Sequence, residues 1–399
     1  MDALELLRQR GLVKQTVFEE DLQELMKEKS VTFYMGFDAS GDSLTIGHLV
    51  PVMAARMLQK QGHRPIVLVG GGTAMIGDPS GRSDMRKMLT KEQIDYNAER
   101  IGEQLKQFLS FEGENAAIMV NNADWLLKLN YVEFIQTIGV NMSVNRMIAA
   151  ECFKKRMESG LSLLEFNYMP MQAYDFWHLY KNFNCELQIG GDDQWSNILA
   201  GEDLIRRKES KPVFAFTVPL LLNTDGTKMG KTAKGALFAS EHRTSAYDIY
   251  QYFRNVDDSK VEEVFKMLTE LDLNKIAELV KYKDERINHA KDVLAFEVVK
   301  FVRGEEAAVK AQAQAKAAFS DNTDNMEAVS VSSGVRNIVD LILALKLAPS
   351  KSEARRLIEG GGIKINSDTV TSFDTEIAST VKELVIHKGK KTHIKVQFN

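Results

Sequence analysis

Hydrophobic residues in the first half of the chain fall into short runs separated by longer amphipathic segments. The amphipathic segments, such as residues 47–62, have the spacing of helices with one apolar face. The short runs predict buried strands at residues 31–37, 65–70, 116–122, 185–191 and 214–221. Strands that alternate with helices are typical of βαβ units, so we predict an α/β fold with a doubly wound, mostly parallel sheet.

The pattern changes several times along the rest of the chain. Within a first domain at residues 1–222, the segment at about 123–165 is helical and interrupts the alternation, so we interpret it as an insertion. Residues 223–320 begin with a loop and are otherwise helical, which predicts an α-helical domain. A short polar stretch at 321–333 is a candidate linker, and residues 334–399 predict a small α+β domain.

The composition is that of an ordinary soluble protein, with 44% hydrophobic and 27% charged residues among 399. No apolar run reaches the roughly 18 to 20 residues of a membrane span. The N-terminal segment carries acidic residues and lacks a long apolar core, so it does not resemble a signal peptide. Two cysteines, Cys152 and Cys185, are too few for a disulfide framework. The zinc-binding pattern HExxH does not occur in the sequence. We therefore expect a cytoplasmic protein with no membrane partner and no protein-bound metal.

Basic residues are concentrated at the end of the chain. Residues 334–399 contain eleven Lys or Arg against seven Asp or Glu, whereas the remainder contains forty against forty-eight. An acidic body with a basic tail suggests that the tail holds a polyanion, although such a difference on a short segment also arises by chance.

Two glycine-bearing segments follow predicted strands, where an open parallel sheet binds its ligands. The first places His48 at a helix entrance, which suits an anion near backbone N–H groups. A histidine with an ordinary hydrogen bond at a helix end is the alternative. The second covers residues 70–86. Its Asp78 could pair with a ligand ammonium, and Arg82 and Arg86 could reach phosphate.

A lysine-bearing loop, TDGTKMGKT, lies at residues 224–232. It is not a P-loop, because Gly226 and Gly230 enclose three residues and that motif needs four. Its Lys228 and Lys231 could cover a polyphosphate, or the loop is an exposed turn without a ligand.

A polar stripe interrupts an aromatic helix predicted at residues 167–183. Tyr168, Gln172 and Asp175 are spaced i, i+4 and i+7 and therefore share one face. Because aromatic residues flank them, we interpret this face as the wall of a polar pocket and not as a solvated surface. Around a glycine pair at another strand end lie three further polar residues, Gln188, Asp193 and Gln194.

Six short segments together resemble the signature blocks of one family. TIGH (45–48) and KMGKT (228–232) are similar to the HIGH and KMSKS signatures of class I aminoacyl-tRNA synthetases. YMGFDASGDSL, IGDPSGR, MQAYDF and GGDDQW resemble the tyrosine and ATP pocket blocks of the bacterial tyrosyl-tRNA synthetases. The likeness covers nearly the whole chain. The C-terminal segment PSKSEARRLIEGGGIKIN resembles a small RNA-binding module of a ribosomal small-subunit protein and of pseudouridine synthases.

This resemblance implies a Rossmann-like catalytic domain with a dimer-forming helical insertion, a helical domain on the anticodon side, and a small RNA-binding domain. It implies a ligase that uses ATP to form tyrosyl-adenylate and pyrophosphate, and then transfers tyrosine to the 3′-terminal adenosine of tRNA(Tyr). The expected cofactor is ATP with Mg2+. The expected partners are L-tyrosine, tRNA(Tyr) and a second copy of the chain in a homodimer.

The resemblance also implies roles for individual residues. The residues implied in catalysis are Thr45, His48, Lys228, Lys231, Thr232, Arg82 and Arg86. Those implied in ATP binding are Gly36, Asp38, Ser40, Gly47, His48, Gly190, Asp193 and Lys231. Those implied in tyrosine binding are Tyr34, Thr73, Asp78, Tyr168, Gln172, Asp175, Gln188 and Gln194. Those implied in tRNA binding are Lys154, Lys155, Arg206, Arg207, Lys208, Lys351, Arg355 and Arg356.

Two signature positions depart from the family. Thr45 stands where HIGH has its first histidine, and Gly230 stands where KMSKS has serine. A threonine hydroxyl can donate to a phosphate oxygen but carries no charge. On the insertion, Lys154, Lys155 and Arg156 fit a solvated helix face as well as they fit contact with tRNA.

Two other functions remain open alternatives. One is a tryptophanyl-type class I synthetase, against which Asp175 opposite Tyr34 argues, because an indole needs no such pair. The other is a non-catalytic RNA-binding protein on a synthetase scaffold. That alternative predicts the loss of His48 or of the lysine loop, and both are present.

Overall fold

The computed structural model describes residues 2–80, 88–232, 235–282, 284–319, 328–366, 368–389 and 392–399. The chain folds into two compact units, Met1–Gly304 and Glu305–Asn399. Residues on both sides of the predicted domain boundary at 222 and 223 belong to the first unit.

A six-stranded sheet forms the centre of the first unit. Its strands are β1 (Gln15–Val17), β2 (Thr32–Asp38), β3 (Arg64–Gly70), β4 (Ile118–Asn121), β5 (Cys185–Gly191) and β6 (Phe214–Val218). Their spatial order is β1-β6-β5-β2-β3-β4, and all neighbours are parallel except β1, which pairs antiparallel with β6. The five predicted strands are confirmed. The sequence pattern does not predict β1, because three residues are too few to show an alternation.

Helices precede, connect and follow the strands of this sheet. They are α1 (Ala3–Gln9), α2 (Glu19–Glu28), α3 (Leu49–Lys60), α4 (Lys91–Leu105), α5 (Ala123–Leu126), α6 (Tyr131–Thr137), α7 (Val144–Ala149), α8 (Glu151–Ser159), α9 (Leu163–Phe166), α10 (Tyr168–Phe183), α11 (Trp195–Glu209), α12 (Ala246–Arg254), α13 (Val261–Leu268), α14 (Leu273–Leu279) and α15 (Ile287–Arg303). A small hairpin of β7 (Lys231–Thr232) and β8 (Gly235–Ala236) precedes α12. In the described part of the chain, no helix is both long enough and apolar enough to cross a membrane.

The sheet order reverses between β2 and β5. From β2 the chain moves outward through β3 and β4, and then returns to build β5 and β6 on the other side. Tyr34 on β2 and Gln188 on β5 are direct partners across this reversal. In an open α/β sheet, ligands bind in the crevice outside the carboxyl ends of the strands at such a reversal.

Local sequence explains how two helices near this crevice begin. At α4, the Thr90 hydroxyl accepts from the Gln93 N–H at 3.3 Å, and the Gln93 side chain accepts from the Thr90 N–H at 3.0 Å. This reciprocal cap satisfies N–H groups that a helix start leaves unpaired. A 3₁₀ turn at Ile46–His48 leads into α3, so the helix predicted from residue 47 begins at Leu49.

One basic residue of the insertion is buried. The Arg156 side chain donates to both carboxylate oxygens of Glu165, at 2.8 and 3.0 Å, and both side chains are at most 5% exposed. Hydrogen bonds from Arg156 lower the pKa of Glu165. The pair fixes α8 to α9. The interpretation of Arg156 as part of a solvated or tRNA-facing surface is therefore wrong.

The second unit is a small α+β fold, as predicted for the tail. Its elements are α16 (Glu305–Phe319), β9 (Ala328–Val331), α17 (Ile338–Ala344), α18 (Lys351–Glu359), β10 (Ile363–Ile365), β11 (Asp368–Thr369), β12 (Glu383–Lys388) and β13 (Thr392–Phe398). The five strands have the order β11-β10-β12-β13-β9. Apolar side chains of α17 and α18 pack on this sheet around Ile342, Ile358 and Ile386.

The predicted linker at 321–333 needs a correction. Residues 321–327 lie outside the described residues, but Ala328–Val331 forms β9 and pairs parallel with β13. β9 is an edge strand that buries Val331 and exposes its other three residues. Its four residues lie within a stretch rich in serine, asparagine and aspartate, and that polar surrounding is typical of a linker.

A buried arginine ties α1 to the helices that follow the sheet. Arg10 is 4% exposed, and its Nη1 donates to the carbonyls of Lys266 at 3.0 Å and Thr269 at 2.8 Å. Its Nη2 donates to the carbonyl of Leu271. These carbonyls lie at the C-terminal end of α13 and just beyond it, where a helix leaves acceptors unpaired and its dipole favours a cation.

We expect the Arg10→Met variant to lose about 2 to 4 kcal/mol of unfolding free energy, because it leaves buried carbonyls without donors. Urea denaturation of the full chain measures this loss. Arg8→Met is the matched control on the same helix, since Arg8 is more exposed and pairs with Glu19 and Glu5. Its expected cost is below about 1 kcal/mol. Equal losses in the two variants would contradict the role of Arg10.

Candidate active site

A pocket of about 410 Å³ opens at the carboxyl ends of β2 and β5. Its wall includes residues from β2, from the 3₁₀ turn before α3, from α10, from β5 and from the lysine loop. Eighteen residues with a predicted catalytic, ATP or tyrosine role line it: Tyr34, Gly36, Asp38, Ser40, Thr45, Gly47, His48, Thr73, Asp78, Tyr168, Gln172, Asp175, Gln188, Gly190, Asp193, Gln194, Lys228 and Lys231.

For three other predicted site residues, the structure does not describe a side chain that could be placed in the pocket. Arg82 and Arg86 lie outside the described residues. Thr232 lies in β7, but its side chain is also outside the described part. In the described ranges, no group of three or more His, Cys, Asp or Glu side chains could hold a metal ion.

One part of the pocket combines a buried carboxylate with a buried phenol. Asp175 and Tyr34 are each 2% exposed. Burial raises the pKa of Asp175 to about 7, although hydrogen bonds to its oxygens oppose this shift. Burial also raises the pKa of Tyr34, and the nearby charge of Asp175 adds to that rise. Among the described residues, the Tyr34 hydroxyl has no hydrogen-bond partner.

Two residues that the sequence patterns do not single out hold this carboxylate. Trp125 Nε1 donates to Asp175 Oδ1 at 2.7 Å, and Asn122 Nδ2 donates to Oδ2 at 2.9 Å. Asn122 is fully buried, and its Oδ1 accepts from the Gly72 N–H at 2.7 Å. Asn122 is the last residue of the third predicted strand, 116–122, and in the structure it directly follows β4, at the same edge of the sheet as the other polar residues.

Two further carboxylates line the middle of the pocket, and both are engaged by neighbours. Asp38 accepts from the Thr73 hydroxyl at 2.7 Å and from the Tyr168 hydroxyl at 3.0 Å. Asp78 accepts from Gln194 Nε2 at 2.7 Å. These contacts hold two carboxylates in one cavity, an arrangement suited to a ligand that carries a positive charge.

Gln188 supplies a second buried polar atom to the same cavity. Its side chain is 3% exposed, and its Oε1 has no hydrogen-bond partner among the described residues. A buried acceptor left unpaired costs about 1 to 3 kcal/mol. The Tyr34 hydroxyl and the Gln188 carbonyl therefore leave a donor and an acceptor for a ligand to satisfy.

The glycine-histidine segment forms the wall beside the start of α3. His48 Nδ1 accepts from the Thr45 N–H at 3.2 Å, so the proton of a neutral ring lies on Nε2. The His48 ring also meets the Phe37 ring edge-on, with centroids 5.8 Å apart. His48 is exposed and lines the pocket, so it both caps a helix and faces a ligand site.

The lysine loop lies against this segment. Lys228 Nζ is 3.1 Å from Asp193 Oδ2, across the pocket wall. Gly230 has φ +82°, and a Cβ there would lie 3.5 Å from Ile46. Residues other than glycine are strained at this φ. The local backbone therefore explains why this chain has glycine where the signature has serine.

Most of the predicted tRNA-binding residues have acidic or aromatic neighbours. Arg206 and Arg207 both pair with Asp203, and Lys154 pairs with Glu151. The side chain of Lys155 lies outside the described residues. Contacts of the remaining predicted residues include those of Lys208 over the Trp177 ring, Lys351 with Asp340, and Arg355 near the Phe373 ring. Arg356 is exposed.

An open α/β sheet with a polar pocket at its reversal and a lysine loop at the pocket wall defines a nucleotide-binding class of enzyme. The profile of the family tRNA synthetases class I (W and Y) matches residues 26–320. The profile of the tyrosine–tRNA ligase SYY-like C-terminal domain matches residues 318–396. The chain belongs to this family of class I tRNA synthetases.

Individual relatives agree with this assignment. The tyrosine–tRNA ligase of Acetivibrio thermocellus is 53% identical over 403 residues, which cover 99% of this chain and 98% of the relative. That of Caldanaerobacter subterraneus subsp. tengcongensis is 51% identical over 98% of both chains. A C-terminally truncated mitochondrial tyrosyl-tRNA synthetase of Aspergillus nidulans superposes with a TM-score of 0.71 at 28% identity, over 79% of this chain and 93% of that one.

We expect the Gly70→Ala variant to disturb the pocket, because a Cβ would overlap Asp38 Oδ1 and lie 2.5 Å from Thr73 Oγ1. The expected loss is about 1 to 3 kcal/mol of unfolding free energy in urea, with the Asp38–Thr73 hydrogen bond broken in a crystal structure of the variant. Gly41→Ala is the control, since nothing lies within 4 Å of a Cβ there. An intact Asp38–Thr73 hydrogen bond in Gly70→Ala would contradict this account of how Gly70 shapes the pocket.

Proposed function

We propose that the chain is a tyrosine–tRNA ligase. It activates L-tyrosine by attack of the tyrosine carboxylate on the α-phosphate of ATP, which releases pyrophosphate and leaves tyrosyl-adenylate. The terminal adenosine of tRNA(Tyr) then takes the tyrosyl group and AMP leaves. The family and the relatives of more than 50% identity over almost the whole chain support this assignment.

The single observation that best supports tyrosine as the substrate is the buried pair of Tyr34 and Asp175. A phenol can donate to the Asp175 carboxylate and accept from the Tyr34 hydroxyl, which otherwise lacks a partner among the described residues. Phenylalanine would leave the buried Tyr34 hydroxyl unpaired and would offer no donor to Asp175. Such a site discriminates by roughly ten-thousandfold or more, and tyrosyl-tRNA synthetases are themselves the reference case for this figure.

The rest of the amino acid needs partners for an ammonium group. We propose that Asp78, Tyr168 and Gln172 hold it, with the Gln188 carbonyl and Gln194 nearby. The unpaired Oε1 of Gln188 supports this role, because an ammonium offers the donor that it lacks. The tryptophanyl alternative is less well supported, because an indole has no oxygen that could bond to both Tyr34 and Asp175.

The nucleotide is proposed to lie along the wall of Thr45, Gly47 and His48. In this arrangement, His48 and Thr45 donate to phosphate oxygens, while Lys228 and Lys231 offset the charge that develops on pyrophosphate. Positioning and charge stabilisation carry such a reaction, since no covalent enzyme intermediate is needed. Thr232, Arg82 and Arg86 remain proposed contributors by resemblance to the family.

We propose that Mg2+ accompanies ATP. This ion typically binds through one or two carboxylates together with substrate phosphates. The pocket offers the Asp193 carboxylate, which already faces Lys228. Asp193 would hold the ion together with the phosphates, and the ion would supply charge neutralisation there.

We propose that tRNA contacts come from basic residues on two parts of the chain. In the first unit these are Lys154, Lys155, Arg206, Arg207 and Lys208, and in the second they are Lys351, Arg355 and Arg356. The ion pairs of Arg206 and Arg207 with Asp203 must be shared or broken to bind phosphate, which weakens their contribution. The free cysteines Cys152 and Cys185 support a reducing, cytoplasmic setting for this activity.

Exchange of labelled pyrophosphate into ATP tests the first half-reaction. We expect exchange with L-tyrosine, and none above background with L-phenylalanine or L-tryptophan. The absence of exchange with tyrosine would contradict the proposed function. Exchange that prefers tryptophan would instead favour the alternative substrate.

We also propose that the chain forms a homodimer through the helical insertion. Among the described residues, nine of the sixteen exposed large hydrophobic side chains lie between Leu127 and Leu163. Val140 and Leu163 are 75% and 72% exposed. Apolar side chains concentrated on one segment of a monomer's surface mark a protein–protein contact.

The Leu163→Asp variant tests the homodimer. An acidic residue suits the first turn of α9, so the fold is expected to tolerate it, while a charge in an apolar interface is not tolerated. In sedimentation equilibrium we expect wild type to be a dimer and the variant a monomer. Val309→Asp, at another exposed apolar position on α16, should remain dimeric. A monomeric wild type, or a dimeric Leu163→Asp, would contradict the proposed interface.

A further inference from the structure

The lysine loop is held at Gly230 by hydrogen bonds on both sides of the residue. The Gly230 N–H donates to the Tyr252 hydroxyl at 2.8 Å. The Gly230 carbonyl accepts from the Leu237 N–H at 2.7 Å. Gly230 is buried, and these two hydrogen bonds fix the position of its backbone.

These bonds continue into the glycine-histidine segment. The Leu237 carbonyl accepts from the Ile46 N–H at 3.0 Å, and Thr45 forms a bridge with Phe238. A line of hydrogen bonds therefore runs from Tyr252 on α12, through the lysine loop, to the segment that carries Thr45 and His48. The Tyr252 hydroxyl is the first link in this line.

The same hydroxyl also reaches the other end of the loop. It donates to Asn223 Oδ1 at 3.4 Å. Asn223 Nδ2 in turn donates to the Thr227 hydroxyl at 2.9 Å and closes the turn at residues 223–227. Burial raises the pKa of Tyr252, so its phenol stays protonated and can accept from Gly230 while it donates to Asn223.

We propose that Tyr252 is a positioning residue for adenylate formation, and this inference rests on the proposed function. Its hydroxyl sets the position of the Gly230 backbone, and so sets where Lys228 and Lys231 stand relative to the nucleotide. Tyr252 does not line the pocket, so its effect is exerted through the loop.

This role predicts that loss of the Tyr252 hydroxyl affects the use of ATP and not the use of tyrosine. The proposed tyrosine contacts Tyr34, Asp175 and Asp78 come from β2, α10 and the segment after β3. Among the described residues, the Tyr252 hydroxyl instead bonds to Gly230 and Asn223. Loss of the hydroxyl should therefore weaken the use of ATP and leave the use of tyrosine unchanged. A residue with only a structural role would lower stability or affect both substrates together.

The test is the Tyr252→Phe variant of the full chain, in pyrophosphate exchange with L-tyrosine and ATP varied separately. We expect kcat/KM for ATP to fall about tenfold, KM for tyrosine to stay within about twofold, and the melting temperature to change little. Tyr247→Phe is the matched control on the same helix, because the Tyr247 hydroxyl is bonded to Gln251 and not to the loop. Equal ATP kinetics in wild type and Tyr252→Phe, or parallel changes for both substrates, would overturn the proposal.

Hydrogen exchange of the peptide that contains Gly230 gives a readout that does not depend on activity. The proposal expects faster exchange at Gly230 in Tyr252→Phe than in wild type or Tyr247→Phe. Unchanged protection of Gly230 in Tyr252→Phe would overturn the proposed positioning role of Tyr252, whatever the activity of the wild type. An inactive wild type would contradict the proposed function, but it would not contradict the contact of Tyr252 with the loop.

Discussion

The parallel pairing of β2 with β5 is the contact on which the site depends. It brings Tyr34 and Gln188 into register at the point where the order of the sheet reverses. Because the carboxyl ends of the strands meet at one edge, the segments that follow β2, β3, β4 and β5 converge there. A shift of one residue in this pairing would turn Tyr34 to the opposite face of the sheet and separate it from Asp175.

The pocket retains polar groups that a structure selected for stability alone would have paired or removed. Asp175 is buried with a pKa raised to about 7, although Asn122 and Trp125 each donate to one of its oxygens. Tyr34 and Gln188 each bury a polar atom without a partner among the described residues. Buried groups without partners cost free energy, and a ligand with complementary hydrogen-bonding groups recovers it. We propose that specificity for a hydroxyl-bearing amino acid follows from this cost.

Features that arise from local pattern were predictable from the sequence. The five parallel strands follow from apolar runs, and the pocket face of α10 follows from the spacing of Tyr168, Gln172 and Asp175. The contributions of Asn122 and Trp125 were not predictable, because they depend on a contact between β4, α5 and α10 that no local spacing encodes. The burial of Arg156 escaped prediction for the same reason, since only the approach of α9 supplies Glu165. The strand β9 was not predicted because it has only four residues and lies within a polar stretch.

A crystal structure of the complex with L-tyrosine tests the central claim most directly. The account predicts that the phenolic oxygen lies within about 3 Å of both the Tyr34 hydroxyl and an Asp175 oxygen, with the ammonium group near Asp78. A tyrosine bound with its phenol elsewhere in the pocket, and with the Tyr34 hydroxyl still unpaired, would contradict it.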